Sequence, residues 1–440
     1  MKSSRAASRR LSTDIVVSSA GVLHPAADSV AELDRVLRDG EPALRATPVP
    51  GAEFVVPAAR LDSFDLRSWA QMHCDDPGSR SRLRRVVGRA TLPVRTACCV
   101  ALAACTAARL TGAEARDTAV VIAGNNLALG HQSRSAAAYA ADPSAIRAGH
   151  VLDCFDTDAL GAVGEVTGCR GEGWPIGGSS AAGALALIQA ARMVATGQAL
   201  RCLVVAPVND LSPVEISAFV KAGAMARVSA GGDATAGCRP FDESHDGFAA
   251  AHIAAAALIE PAPEAHRRGI RPLGRILGSG TGTDGRRGTR PETVGQIRAM
   301  HAALTDSGLA PSDIDYVSAH GTGSVIGDDS EAEALGAVFG VAEGAEGTAG
   351  EGPLVNSTKA ILGHGLGAAG LVEAITTLLQ LTGGYCHANP GLTKPVRPDL
   401  RFVTDTITRT PLRAALSNSF AFSGINASLV LGRAAEEDSP

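Results

Sequence analysis

Two stretches of this chain, GGSSAAGALALIQAARMVATG at 177–197 and GHGLGAAGLVEAITTLLQLTG at 363–383, read as one object written twice. Each opens on a glycine-rich turn, runs as an almost wholly apolar helix and stops at glycine. A helix that is apolar on every face belongs inside a protein, covered all round. Each also carries a reactive side chain at its N-terminal end, Ser180 in one and His364 in the other. The spacing therefore predicts two half-domains that aim their helix ends at one shared site.

Working outward, apolar runs typical of buried strands alternate with Ala/Leu-rich helical runs: IVVSSAGV at 15–22, TAVVIAG at 118–124, RCLVVAPV at 201–208, IDYVSAHG at 314–321 and ASLVLG at 427–432. Such alternation argues for an α/β protein whose helices cover its sheets. A second internal repeat points the same way. AARLTGAEARDTAVVIAG (107–124) and AALTDSGLAPSDIDYVSAHG (302–321) share a helix, a glycine stop, an aspartate and a strand ending in glycine, so the chain reads as duplicated. The division expected is an N-terminal half over 13–260 carrying Ser180 and a C-terminal half over 270–433 carrying His320 and His364. Residues 1–12 and 434–440 are expected to fray, and the Gly/Glu-rich stretch 340–353 to form a mobile loop.

Composition narrows the class. The 440 residues carry 40 basic against 45 acidic side chains, a formal charge of -5, which is no footprint for nucleic acid or an anionic membrane. The nine cysteines are scattered with no C-x-x-C pair, so neither a disulfide framework nor a structural metal site is expected, and the chain reads as cytoplasmic. The basic start MKSSRAASRR lacks a continuous apolar region behind it, and no window offers some 18 uninterrupted apolar residues; neither a signal peptide nor a membrane span is expected.

Taken singly, the polar residues have bland readings: Ser180 as a helix cap, His320 as a structural histidine after a strand, Lys359 and His364 as residues closing a turn. Two rival classes fail on spacing. A serine hydrolase needs G-x-S-x-G, and Ala181 and Ala182 stand where the closing glycine belongs. A dinucleotide-binding loop would need G-x-G-x-x-G opening a helix, whereas GSGTGTDG at 278–285 lacks that spacing and leads into an arginine-rich loop.

What binds these residues together is their order. SAHGTGSVIGDDSEAEAL (318–335), VNSTKAILGHGLGAAG (355–370), CRPFDESHDGF (238–248), SNSFAFSGINASLVL (417–431) and the opening IVVSSAGVLHPAADSVAELDRVL together resemble the β-ketoacyl synthases, the condensing enzymes of fatty acid and polyketide synthesis. The resemblance spans almost the whole chain. It implies a thiolase-like fold, with two pseudo-duplicated βαβαβαββ halves in a five-layer αβαβα arrangement, and a homodimer. It also implies acyl transfer and carbon–carbon bond formation on the phosphopantetheine arm of an acyl carrier protein, with no bound cofactor and no metal.

By the same resemblance Ser180 occupies the nucleophile position, where the family has cysteine. The backbone N–H groups of Ser180 and Phe422 form the oxyanion hole, and His320 and His364 polarise a thioester carbonyl. Lys359 orients His364 and Glu331, Asp328, Glu331 and Phe420 support the site, and Phe422 gates the acyl pocket. A serine hydroxyl is much less acidic than a thiol, and a helix dipole worth about 0.3–1 kcal/mol does not ionise it. Ser180 therefore needs His320 or His364 as base. An ester on serine is also a poorer electrophile than a thioester, so condensation suffers more than acylation. Four readings follow: a native serine enzyme that transfers or hydrolyses acyl groups or condenses slowly, an engineered Cys-to-Ser form, a repurposed synthase that closes a ring by aldol and lactone formation as in salinosporamide-type β-lactone cyclases, and a noncatalytic partner subunit.

Other departures touch the pocket. AFSG replaces the family's GFGG, and Ala421 and Ser423 are expected to stiffen the gate. AAHIAAA at 250–256 introduces His252, read as a packed histidine or part of an altered substrate pocket, and Trp174 in GEGWPIGG is placed at a dimer interface or the pocket wall.

Overall fold

A computed structural model of the chain describes residues 14–228, 232–340 and 352–434. The expectations for 1–12, for the last six residues and for 341–351 fall outside the described residues.

The duplication is a property of the sheet. Five strands of the first half, β1 (Ile15–Leu23), β2 (Ala119–Ala123), β3 (Gly173–Ile176), β4 (Cys202–Ala206) and β5 (Ala254–Pro261), lie side by side in the order β1-β5-β4-β2-β3. The second half supplies β6 (Gly274–Thr283), β7 (Tyr316–Ser318), β8 (Leu354–Asn356), β10 (Ala414–Ala421) and β11 (Ile425–Gly432), in the order β6-β11-β10-β7-β8, with the short β9 (Arg401–Phe402) beyond β8. Both orders are the same permutation of chain order. Both also run antiparallel, antiparallel, parallel, parallel from β1 and from β6 outward. The halves meet where Val16 and Val17 pair with Arg275 and Gly274.

Helices fill the layers. The strands β1, β2, β4, β5, β10 and β11 are buried on both faces almost throughout, as strands covered by helices on two sides must be. In β4, Leu203 and Val205 pack outward with α1 (Leu92–Ala107) and α2 (Thr157–Thr167), while Val204 and Ala206 face inward. On the other side, Leu416 and Val430 pack with α4 (Thr293–Ser307) and α5 (Val325–Phe339). Between the halves lie α3 (Ala182–Ala195) and α6 (Ala369–Gly383), the two apolar helices of the repeated stretch, in contact with strands of both halves. The result is the expected αβαβα layering. The run Leu366–Gly383 is long and apolar enough to cross a bilayer, but its surface is buried in the protein core.

Two glycines let α3 and α6 cross backbone to backbone. A Cβ on Gly183 would lie 2.5 Å from the Leu371 nitrogen, and one on Gly370 would lie 2.7 Å from the Ala184 nitrogen. Each helix is entered through a short 3-10 turn whose first residue is forced into the left-handed region, Ser179 at φ +50° and Leu366 at φ +51°. Non-glycine residues hold such φ values only where their surroundings impose them. The glycines of GSGTGT, in β6, serve packing. A Cβ on Gly280 would lie 2.0 Å from the Ala299 carbonyl oxygen, so α4 can rest directly on the strand.

Candidate active site

The crossing helices bring their N-terminal turns together, and with them the two side chains singled out in the sequence. Ser180 Oγ lies 2.9 Å from His364 Nε2. Ser180 makes no capping hydrogen bond to its helix, so the bland reading fails. His364 follows Gly363, at φ +77°, and is fixed through its backbone: its N–H donates to Ala249 O and its C=O accepts from Ala251 N. Of the two candidate bases, His364 is the one that reaches Ser180.

His320 leaves the end of β7 and faces His364 edge-on, with ring centroids 5.5 Å apart. Its loop hangs on two carboxylates of α5. Glu331 accepts the N–H groups of His320 and Gly321 and the Asn418 amide, and Asp328 accepts those of Phe241, Thr322 and Gly323. Burial pushes Glu331 up to about 7 against those donors. Burial, aided by the positive charge of Lys359, drives both His320 and His364 well below the ordinary imidazole value, so both rings are neutral near pH 7.

Lys359 does not do what the sequence suggested. Its ammonium is buried with the Glu373 carboxylate as its ion-pair partner, donates to the His320 carbonyl oxygen at 2.6 Å and lies 3.3 Å from His320 Nδ1. It orients His320, not His364 or Glu331. The reason is geometric: α6 carries Glu373 inward one turn past the helix start, and an ammonium that deep stays charged only beside an anion. Glu373 went unread, although a lone carboxylate in the apolar run GLVEAITTLL was a signal that a partner exists.

These contacts decide the tautomers. An ammonium has only protons to offer, so His320 Nδ1 is the acceptor and its proton sits on Nε2. His364 Nδ1 is buried with no partner. An orphaned buried N–H is rarer and costlier than an orphaned lone pair, which places the His364 proton on Nε2 also. Both imidazoles then offer N–H donors. Ser180 and Phe422 lie in 3-10 turns, Ser179–Ala181 and Phe422–Gly424, whose early N–H groups fall outside the ladder of the turn.

Ser180, His320, His364, Phe420 and Phe422 line one cavity of about 290 Å³, together with Asp328 and Glu331. Phe248 meets the His364 ring edge-on at 5.1 Å and Phe219 meets Phe422 at 6.2 Å; neither was singled out from sequence, although Phe248 stood in the quoted DGF run. Trp174 and His252 are not on this wall. Trp174 sits half-buried on the edge strand β3, and His252 accepts from Leu61 N and lines a separate small hollow. Burial lowers His252 to about 4, as for a packed neutral histidine. Beside Phe422, Ser423 takes φ +65°, a conformation that strains a residue with a side chain, and its N–H donates to Gly288 O.

A thiolase-like fold that brings Ser180 and His364 together at the helix crossing, with His320 facing them from the end of β7, defines a condensing-enzyme architecture. The chain belongs to the β-ketoacyl synthase family: residues 12–265 match the model of the β-ketoacyl synthase N-terminal domain and 273–393 that of the C-terminal domain. It is 31% identical over 348 residues to the polyketide biosynthesis malonyl-ACP decarboxylase PksF of Bacillus subtilis (strain 168), covering 79% of this chain and 81% of that one. It is 34% identical over 261 residues to the 3-oxoacyl-[acyl-carrier-protein] synthase 2 of Mycobacterium bovis, 58% of this chain and 59% of that enzyme. Among solved structures, the ishigamide ketosynthase/chain length factor superposes with a TM-score of 0.81 over 96% of this chain and 99% of that one, at 23% identity.

Proposed function

We propose that this protein removes carbon dioxide from a malonyl thioester on the phosphopantetheine arm of an acyl carrier protein, leaving an acetyl thioester, in polyketide biosynthesis. The observation that carries this is the pair of imidazoles on one cavity, His320 with its Nδ1 facing the Lys359 ammonium and His364 beside Ser180, a placement that suits both to donate from Nε2. The bond between the carboxyl carbon and Cα breaks, its electron pair passes into the thioester enolate, and water supplies the proton that Cα then takes up. What lowers the barrier is stabilisation of the enolate oxygen by fixed donors, an effect on the order of 10²–10³ in rate for one donor in comparable sites.

Condensation asks more of the same residues. Ser180 must lose its proton to a base, and a His364 that donates from Nε2 is no base in that state. The relationship to a relative whose name is malonyl-ACP decarboxylase supports the same division of labour. The chain is further read as a homodimer: β3 stands at the edge of the sheet with Trp174 on it, and an open edge strand invites pairing with a second copy.

The test is incubation of the chain with malonyl-loaded carrier protein, with and without an acyl primer, read by intact-protein mass spectrometry. The expected result is a carrier lighter by carbon dioxide and an unmodified chain. A chain that gains the primer's mass and yields an elongated product favours slow condensation, and a dehydrated, carrier-free product favours cyclisation. Activity that appears only when a second chain is added favours a partner subunit.

A further inference from the structure

Three side chains away from the catalytic cavity converge. His131 stands in the first turn of the helix Leu129–Ala141, and His150 and Asp153 stand one turn apart on the short helix His150–Asp153. His131 Nε2 lies 3.4 Å from His150 Nδ1 and 3.6 Å from Asp153 Oδ2, and the three ligand atoms all fall within 4.8 Å of one another. These separations are long for hydrogen bonds, which centre near about 2.9–3.0 Å for a nitrogen donor. The two distances from His131 lie close to the edge of a coordination tetrahedron instead. Zinc holds nitrogen and carboxylate oxygen at about 2.0–2.1 Å, which sets ligand atoms roughly 3.3–3.4 Å apart.

We propose that His131, His150 and Asp153 form a binding site for a divalent metal ion of the zinc class, with the fourth position open to water. The ligand set, two imidazoles and one carboxylate, suits that ion. The site is partly sheltered, with side-chain exposures of 20% for His131 and 11% for Asp153. Two neighbours share these atoms: the exposed Arg147 guanidinium comes to 3.8 Å from Asp153, and the Ser135 hydroxyl to 3.4 Å from His131 Nε2. None of the three ligands lines the catalytic cavity. A metal here pins the 150–153 turn to the 129–141 helix, and with it the exposed apolar residues Val151, Leu152 and Phe155. Closing a loop of this kind stabilises the segment by restricting its unfolded states.

The experiment uses the full chain, freed of metal with a chelator, and titrates it with Co²⁺ and with Zn²⁺ alongside His150→Ala and Asp153→Asn. Both variants change half-buried positions, and circular dichroism without metal checks that they fold. The expected result is about one Co²⁺ per chain with the strong visible absorption of a four-coordinate nitrogen and oxygen site, displaced by Zn²⁺, and weakened about tenfold or more in each variant. Variants that bind with the parent's stoichiometry and spectrum overturn the proposal, as does a sulfur charge-transfer band, which assigns the metal to cysteines such as the partly exposed Cys154. A parent chain with no visible Co²⁺ absorption overturns it too.

Discussion

The Lys359 ammonium holds His320 at both ends, donating to its carbonyl oxygen at 2.6 Å and lying 3.3 Å from its Nδ1. One buried cation thereby fixes where the backbone of the HGTGS loop sits and which ring nitrogen faces the cavity. The cation persists because Glu373 is buried beside it.

Replacing one member of such a pair leaves an uncompensated buried charge, which costs about 3–5 kcal/mol. Lys359→Met is therefore expected to lower thermal stability sharply, and the double variant Lys359→Met with Glu373→Gln to recover most of it. Activity is not expected to recover, because His320 has lost the proton donor that sets its tautomer. Thermal unfolding and kcat against KM for both variants check this. Recovery of kcat in the double variant contradicts the role assigned to Lys359.

Glu331 gives a pH signature. Its folded value of about 7 lies above the ordinary 4.5, so the folded state binds its proton more tightly than the unfolded chain does. This contribution is fully present below about pH 4.5 and is lost as pH rises through about 7, by on the order of a few kcal/mol. Glu331→Gln is expected to be less stable at every pH, since an amide cannot accept from both sides, and to lose that slope. Urea unfolding between pH 5 and 8 measures it.

The imidazoles predict an absence in the rate profile. His320 and His364 are driven well below 6.5, so in the Glu331→Gln background activity is expected to show no titration near pH 6.5. A sigmoidal limb centred there in kcat/KM places a protonating imidazole in the mechanism and counts against the two-donor arrangement.

The helix crossing tolerates no side chain. Gly183→Ala and Gly370→Ala each set a methyl against a backbone nitrogen, at 2.5 and 2.7 Å, and overpacking of this kind costs about 1–3 kcal/mol. Parting the helices also parts Ser180 from His364, so activity is expected to fall by more than the lost stability explains. Activity measured well below the unfolding temperature separates the two effects.

How far the sequence carried the reading depended on how local each signal was. The Ser180–His364 meeting was legible because both residues head glycine-opened apolar helices, and such helices have to be buried together. The Lys359–Glu373 pair was not, since it depends on how far α6 turns after its 3-10 entry, which no local pattern records. Of the two readings of His252 the packed one holds, since its ring is buried and accepts from Leu61 N, while Trp174 lies on the edge strand β3 away from the cavity, a placement that its position before the glycine turn did not decide. The glycines of β6 were excluded from a dinucleotide-binding loop on spacing, but their actual use, making room for α4, depends on a helix packed on the strand and is not recorded locally.

Decarboxylation in this cavity is proposed to proceed without an acyl-enzyme, and Ser180→Ala separates that route from nucleophilic catalysis. The Ser180 backbone N–H survives this change, as do His320 and His364. With malonyl-loaded carrier protein, the Ala variant is expected still to release carbon dioxide and acetyl carrier protein at a rate within about tenfold of the parent, a barrier change of at most about 1.4 kcal/mol. A loss of several orders of magnitude, with acyl-serine detected on the parent chain, would contradict it and make Ser180 a nucleophile.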